Sequence, residues 1–244
     1  MLRFSLSGLL WALPTLPVIG ALVALTLPSA DRLTLRMVAL ASSALTLIAA
    51  ALTIATAWPG LDVVASAPAA VTDDLGLALL PRLRLVPAAI PALLATLLAL
   101  PIALRAGAPR VHQATTAYVV AILVLQASTM LALLLDDVIA AFAAATVGAV
   151  PGFALLALFG GPERGTVTWR AAATWLLVDA LALAGLLATQ AAVPGVDGAG
   201  FTGGFVPELV VVLVLGPGLV RMAAGPHGLW ALPVLEQTPV AGAA

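Results

Sequence analysis

The chain has 244 residues, of which 63% are hydrophobic and 9% are charged, whereas a soluble domain carries about 25% charged residues. This composition excludes an ordinary water-soluble surface, and a net charge of −1 without a basic cluster excludes a nucleic-acid-binding protein. The absence of cysteine excludes disulfides and iron–sulfur ligation, and two histidines are too few for a His-rich metal or haem site.

Apolar segments close to membrane-spanning length follow one another along the chain, separated by charged or Pro/Gly breaks. A helix needs about 20 residues to cross the hydrocarbon layer, and the alternating polarity of membrane β-strands is absent. The seven segments are Leu9–Leu27, Met37–Trp58, Leu85–Leu104, Thr115–Leu135, Val138–Phe159, Ala171–Ala191 and Val206–Val220. The sequence therefore predicts an all-α integral membrane protein, a bundle of about seven transmembrane helices.

The distribution of arginine predicts the orientation of this bundle. Three arginines lie on the side of the N-terminus, namely Arg3, Arg82 and Arg84. Seven lie on the other side, namely Arg32, Arg36, Arg105, Arg110, Arg164, Arg170 and Arg221. Because cytoplasmic loops are enriched in Lys and Arg, we expect a multi-pass protein of the inner (cytoplasmic) membrane, with its N-terminus outside and its C-terminus in the cytoplasm.

The order of features from about Trp58 onward resembles the antiporter-like membrane subunits of respiratory complex I, chain M in particular, and the related cation/proton antiporter subunits. Four segments carry the resemblance: Arg82–Leu104 with its prolines, Gln126–Phe142 with its acidic turn, Ala141–Arg164 with its closing Gly-Gly-Pro, and Pro226–Ala243 with its Pro-His-Gly-Leu-Trp run. Members of this family are about twice as long, so the chain resembles the N-terminal half of an antiporter-like subunit, either as a shortened paralogue or as a fragment.

The resemblance implies a division into residues 1–110, a three-helix membrane segment with a long outer loop, and residues 111–244, an antiporter-like helix segment that is truncated relative to the family. It also implies a subunit of an assembly in which proton translocation is coupled to NADH-quinone oxidoreduction. The expected partners are other membrane subunits and the lipid bilayer, without nucleic acid. We expect no cofactor in this chain and no catalysis by the chain alone, because flavin, iron–sulfur or quinone chemistry would belong to partner subunits.

Several charged positions of the family are neutral in this sequence. Thr146 falls on the glutamate of the fifth span, Thr174 lies near the lysine of the next span, Gln126 replaces an acid and Val86 replaces an aspartate; the chain has no lysine. Arginine is a poor substitute for a proton-carrying lysine because its pKa above about 12 keeps it charged. A second hypothesis is therefore a structural or assembly paralogue that kept the helices and lost the ion path. An unrelated permease is a third, although few polar groups are present to line a substrate cavity.

Four residues are candidates for a proton path: Asp179, Glu208, Arg221 and His227. A carboxylate at the centre of a span costs at least about 2.5–3.5 kcal/mol, so Asp179 should face protein or water, either as a proton relay or as a hydrogen-bonded group at a helix contact. Glu208 fits a path entrance or a first-turn carboxylate favoured by the helix dipole. Arg221 and His227 fit a polar mouth or a neutral interfacial cluster. We expect no catalytic, cofactor-binding or metal-binding residues.

Overall fold

The computed structural model describes residues 6–28, 31–57, 63–65, 82–107 and 115–192. This part of the chain is mostly helical. Its six α-helices are α1 (Leu6–Thr26), α2 (Arg32–Ala57), α3 (Ile90–Gly107), α4 (Thr115–Leu134), α5 (Val138–Phe159) and α6 (Arg164–Ala192). Two short strands, β1 (Val63–Ala65) and β2 (Leu83–Leu85), lie between α2 and α3, and a 3-10 turn at Pro87–Ala89 leads into α3.

Five of these helices, all except α3, are long and apolar enough to cross a membrane in the part of the chain that the structure describes. The six helices lie where the sequence predicts the first six spans. The seventh predicted span, Val206–Val220, lies outside the described residues. The prediction of a mostly helical protein with several helices long and apolar enough to cross a membrane is confirmed, and the count of seven stays a prediction.

The chain separates into two compact units, Met1–Gly152 and Phe153–Ala244, and the boundary falls within α5 next to Pro151. In the first unit, α1 packs against α2 and α4, and α3 packs against α2 and α4. The division at residue 110 follows from the family resemblance and not from compactness, and it stays a prediction.

The core of the first unit lies at the end of the bundle where α1 begins. Ten buried residues form it, contributed by four helices and β2: Leu10, Leu13, Ala49, Ala50, Leu83, Leu85, Leu93, Leu97, Met130 and Leu134. Since these residues come from the start of α1 and α3 and the end of α2 and α4, neighbouring helices run in alternating directions. β2 and the turn after α4 therefore lie at the same end, as the prediction of alternating sides requires.

The two strands were not predicted. β1 and β2 pair antiparallel, with Val63 opposite Leu85 and Ala65 opposite Leu83, and Leu83 also forms an antiparallel bridge with Leu135. As a result, the third helix begins at Ile90 and not at Leu85. Pro87 has no backbone N–H and a fixed φ, which suits the first turn of a helix and ends the strand.

Aspartates begin two of the helices. Asp31 precedes α2, and its Oδ1 accepts a hydrogen bond from the Thr34 backbone N–H at 3.1 Å. Asp137 precedes α5 and accepts one from the Ala140 N–H at 2.7 Å. In both cases a side-chain oxygen satisfies one of the donors that the first helical turn leaves free. Hydrogen bonds from the side chain and then the backbone N–H of Thr34 lower the pKa of the exposed Asp31 carboxyl below its ordinary value of 3.8.

In the second unit, α6 continues for 29 residues from Arg164 to Ala192, about 43 Å at 1.5 Å per residue. The helix begins seven residues before the predicted start at Ala171, because the more polar segment that precedes the apolar run is also helical. Trp175 of α6, four residues before Asp179, packs edge to face against Phe153. The ring centroids lie 6.0 Å apart, and the interplanar angle is 87°. Such aromatic pairs contribute about 0.5–1.5 kcal/mol beyond the area they bury.

Candidate functional site

Asp179 is the candidate residue whose surroundings the structure describes. It lies in the middle of α6, roughly 22 Å along the axis from Arg164, and only 6% of its surface is exposed. Val178 and Ala182, one helical turn apart, are buried to the same extent, whereas Leu177, on the opposite side of the helix, is 64% exposed. Leu176 and Leu183, which lie three and four residues from Asp179 on the other flank, are 61% and 37% exposed. Asp179 thus lies at the edge of the buried face of its helix, and it interacts with another group of the protein.

The other three candidates, Glu208, Arg221 and His227, lie outside the described residues. Their assignment to a proton path therefore stays a prediction. The sequence Gly216-Pro217-Gly218 lies in the same part of the chain; it is predicted to interrupt the seventh span, either as part of an ion site or as a simple kink.

The positions that are charged in the resembled family carry hydroxyl and amide groups here. Thr146 is half-buried in α5. The Thr174 hydroxyl donates a hydrogen bond to the Arg170 carbonyl of its own helix at 2.9 Å. Such a bond within one helix satisfies the hydroxyl locally. Neither threonine can carry a charge, so neither takes over the part that an ionisable group plays in moving protons.

Gln126 is the most unusual polar residue of the first unit. It lies near the middle of α4 and is 3% exposed, yet neither its Oε1 nor its Nε2 has a hydrogen-bond partner in the described part of the chain. A buried amide without a partner typically costs about 1–3 kcal/mol. The absence of a partner in the helices around Gln126 depends on packing that no local sequence pattern reveals.

An ion pair lies at the end of the bundle where α1 begins. Arg84 Nη1 is 3.4 Å from Asp136 Oδ1, and the two side chains are 30% and 26% exposed. The Asp136 backbone N–H donates to the Arg82 carbonyl at 3.0 Å. Asp136 and Asp137 form the acidic turn of the segment Gln126–Phe142. Asp136 joins this turn to β2, and Asp137 begins α5.

Within the described ranges, no group of three or more His, Asp and Glu residues is arranged to hold a metal ion. The features on which a function can be based are thus a buried carboxylate in an apolar helix and a helical bundle with a neutral polar interior. The five helices that are long and apolar enough to cross a membrane indicate a helical, multi-pass membrane protein. No family model matches the chain, and no curated protein matches it.

Proposed function

We propose that the chain is a membrane subunit of a complex-I-like or cation/proton antiporter-like assembly, associated with proton translocation, in which Asp179 is a proton-path carboxylate. The burial of Asp179 carries this proposal. An aspartate in the middle of a candidate membrane span is costly against lipid, and here it is 6% exposed. Ionisable groups buried inside membrane proteins are typical of proton relays and ion pathways.

Three further features support the proposal. The five candidate spans fit a multi-pass subunit. The segments Arg82–Leu104, Gln126–Phe142 and Ala141–Arg164 occur in the order of the resembled family. The resembled family works within assemblies of membrane subunits, so other membrane subunits of a respiratory or antiporter complex are the partners that we propose.

The test is proton flux into liposomes that contain the protein together with the subunits that co-purify with it. We expect D179N, which keeps the shape of the side chain and removes its charge, to reduce flux at least about tenfold, because an amide cannot bind and release a proton. D137N is the matched control: it also neutralises one aspartate, but at the exposed turn before α5. Equal flux in D179N and wild type would contradict the proton-path function.

A non-pumping structural or assembly subunit is the second candidate, and the interior of the first unit favours it. The buried polar side chains there are hydroxyls and one amide, namely Ser42, Ser43, Thr46, Thr53, Thr115 and Gln126. No buried Asp, Glu, Lys, Arg or His occurs among the residues that the structure describes in this unit. If this function is correct, D179N leaves proton flux unchanged, while deletion of the chain prevents the co-purifying subunits from assembling.

A further inference from the structure

The surroundings of Gln126 follow from two contacts on either side of it along α4. Leu123, three residues before Gln126, packs close to Gly20 of α1, which itself contacts Ser42 of α2. Met130, four residues after Gln126, belongs to the core that contains Leu13 of α1 and Ala49 of α2. Residues three and four apart share one face of a helix. Gln126 therefore faces α1 and α2, between these two contacts.

On α1, this level of the bundle is occupied by Pro17, which is buried. Proline has no backbone N–H, so the Leu13 carbonyl lacks the hydrogen bond that residue 17 normally donates in a helix. Buried carbonyl groups need a partner in a membrane interior, where no lipid group can supply one. The Leu13 carbonyl is therefore a backbone acceptor near this level that lacks its usual donor four residues later.

On α2, the same level is occupied by Thr46, which is completely buried. Its hydroxyl donates to the Ser42 carbonyl at 2.7 Å. A hydroxyl that donates one hydrogen bond still has lone pairs that can accept another. Three polar groups from three helices thus share one level: the Gln126 amide, the Leu13 carbonyl and the Thr46 oxygen.

We propose that these three groups form a binding site for an internal water molecule between α1, α2 and α4. Water can donate to the Gln126 Oε1, to the Leu13 carbonyl or to Thr46, and it can accept from the Gln126 Nε2. Internal waters typically make about three hydrogen bonds to buried groups that lack other partners. The site lies in the first unit and does not depend on Asp179 or on the proposed function.

Radiolytic footprinting tests this site on the purified protein. An X-ray pulse generates hydroxyl radicals from bound water, and these radicals oxidise susceptible side chains beside it. Met130 is a suitable reporter because it lies one turn from Gln126 and is 0% exposed. Methionine is also readily oxidised. We expect oxidation of Met130 in the wild type on the millisecond timescale. No oxidation of Met130 would show that the site is dry and would overturn the proposal.

Two variants separate bound water from transient opening of the bundle. Q126L should lower Met130 oxidation at least about fivefold, because leucine offers water no hydrogen bond. P17A restores a donor for the Leu13 carbonyl and favours the helix, so it should also lower oxidation while keeping the fold. The control is T129V, which removes a hydroxyl that is bonded within its own helix at 2.8 Å and should leave oxidation unchanged. Wild-type oxidation in Q126L or P17A would overturn the three-group site.

Discussion

The contact between α1 and α2 at Gly20 makes a sharp prediction about stability. A Cβ atom at position 20 would lie 2.5 Å from Ser42 Oγ, 2.7 Å from Ser42 Cβ and 3.4 Å from Leu123 Cδ1. Rotation of the serine side chain cannot relieve the contact with its Cβ, which is fixed to the backbone. For G20A, the two helices must therefore separate by roughly 0.7–0.9 Å at a close-packed contact.

Three effects determine the size of the change in G20A. Overpacking costs about 1–3 kcal/mol. The Ser42 hydroxyl donates to the Leu16 carbonyl at 3.0 Å, and loss of such a bond between membrane helices costs about 0.6 kcal/mol. Alanine in place of glycine favours the helix by up to about 1 kcal/mol. We expect G20A to lower the free energy of unfolding by about 1–2 kcal/mol.

Unfolding of the purified protein by SDS titration in mixed micelles measures this change. G152A is the matched control, because a Cβ atom at Gly152 meets no atom within 4 Å; it should be neutral or stabilising by up to about 1 kcal/mol. S42G removes both atoms that collide with the new methyl group, so G20A/S42G should be more stable than the sum of the single changes by about 1–2 kcal/mol. A G20A protein as stable as the wild type, or strict additivity, would refute the packing argument.

Three further predictions concern the aspartates at the helix ends. Neutralising either Arg84 or Asp136 should lower the free energy of unfolding by about 0.2–1 kcal/mol, as is usual for a partly exposed ion pair. If added salt did not weaken this effect, the loss would not come from the ion pair. D137A should lower the free energy of unfolding by about 1 kcal/mol through loss of a helix cap, whereas D137N should leave it nearly unchanged; equal losses in the two variants would exclude capping. Because the pKa of Asp31 is lowered, its helix cap is fully present above the ordinary pKa of 3.8 and is lost as pH falls through the lowered pKa. Hydrogen exchange at the Thr34 amide, corrected for intrinsic rates, should therefore accelerate only below pH 3.8.

The positions of the helices could be predicted because each one coincides with an apolar run that has its own length and its own breaks. Val138–Phe159 is reproduced residue for residue. The helix ends were predicted less well in two cases. At Arg164–Arg170 the chain is helical without being apolar. At Leu83–Leu85 the chain forms a strand at the start of an apolar run. A strand of three residues is too short to show a period of two.

The site was predictable only in part. The sequence predicts that a carboxylate in the middle of a span avoids lipid, and Asp179 is buried as expected. The isolation of the Gln126 amide and the tight fit of Gly20 against Ser42 depend on which helices become neighbours. Those contacts join residues that are far apart in the chain, so no local pattern indicates them.

The bridge from Leu83 to Leu135 has a consequence for biogenesis. One edge of β2 pairs with β1, but the opposite edge is completed only by residues 135 and 136, which are synthesised after α3 and α4. Until the ribosome has delivered them, β2 presents open backbone donors and acceptors, which favour pairing with other chains. A nascent chain stalled before residue 135 should therefore be the species most prone to mispairing, and emergence of the α4–α5 turn is the step that protects it.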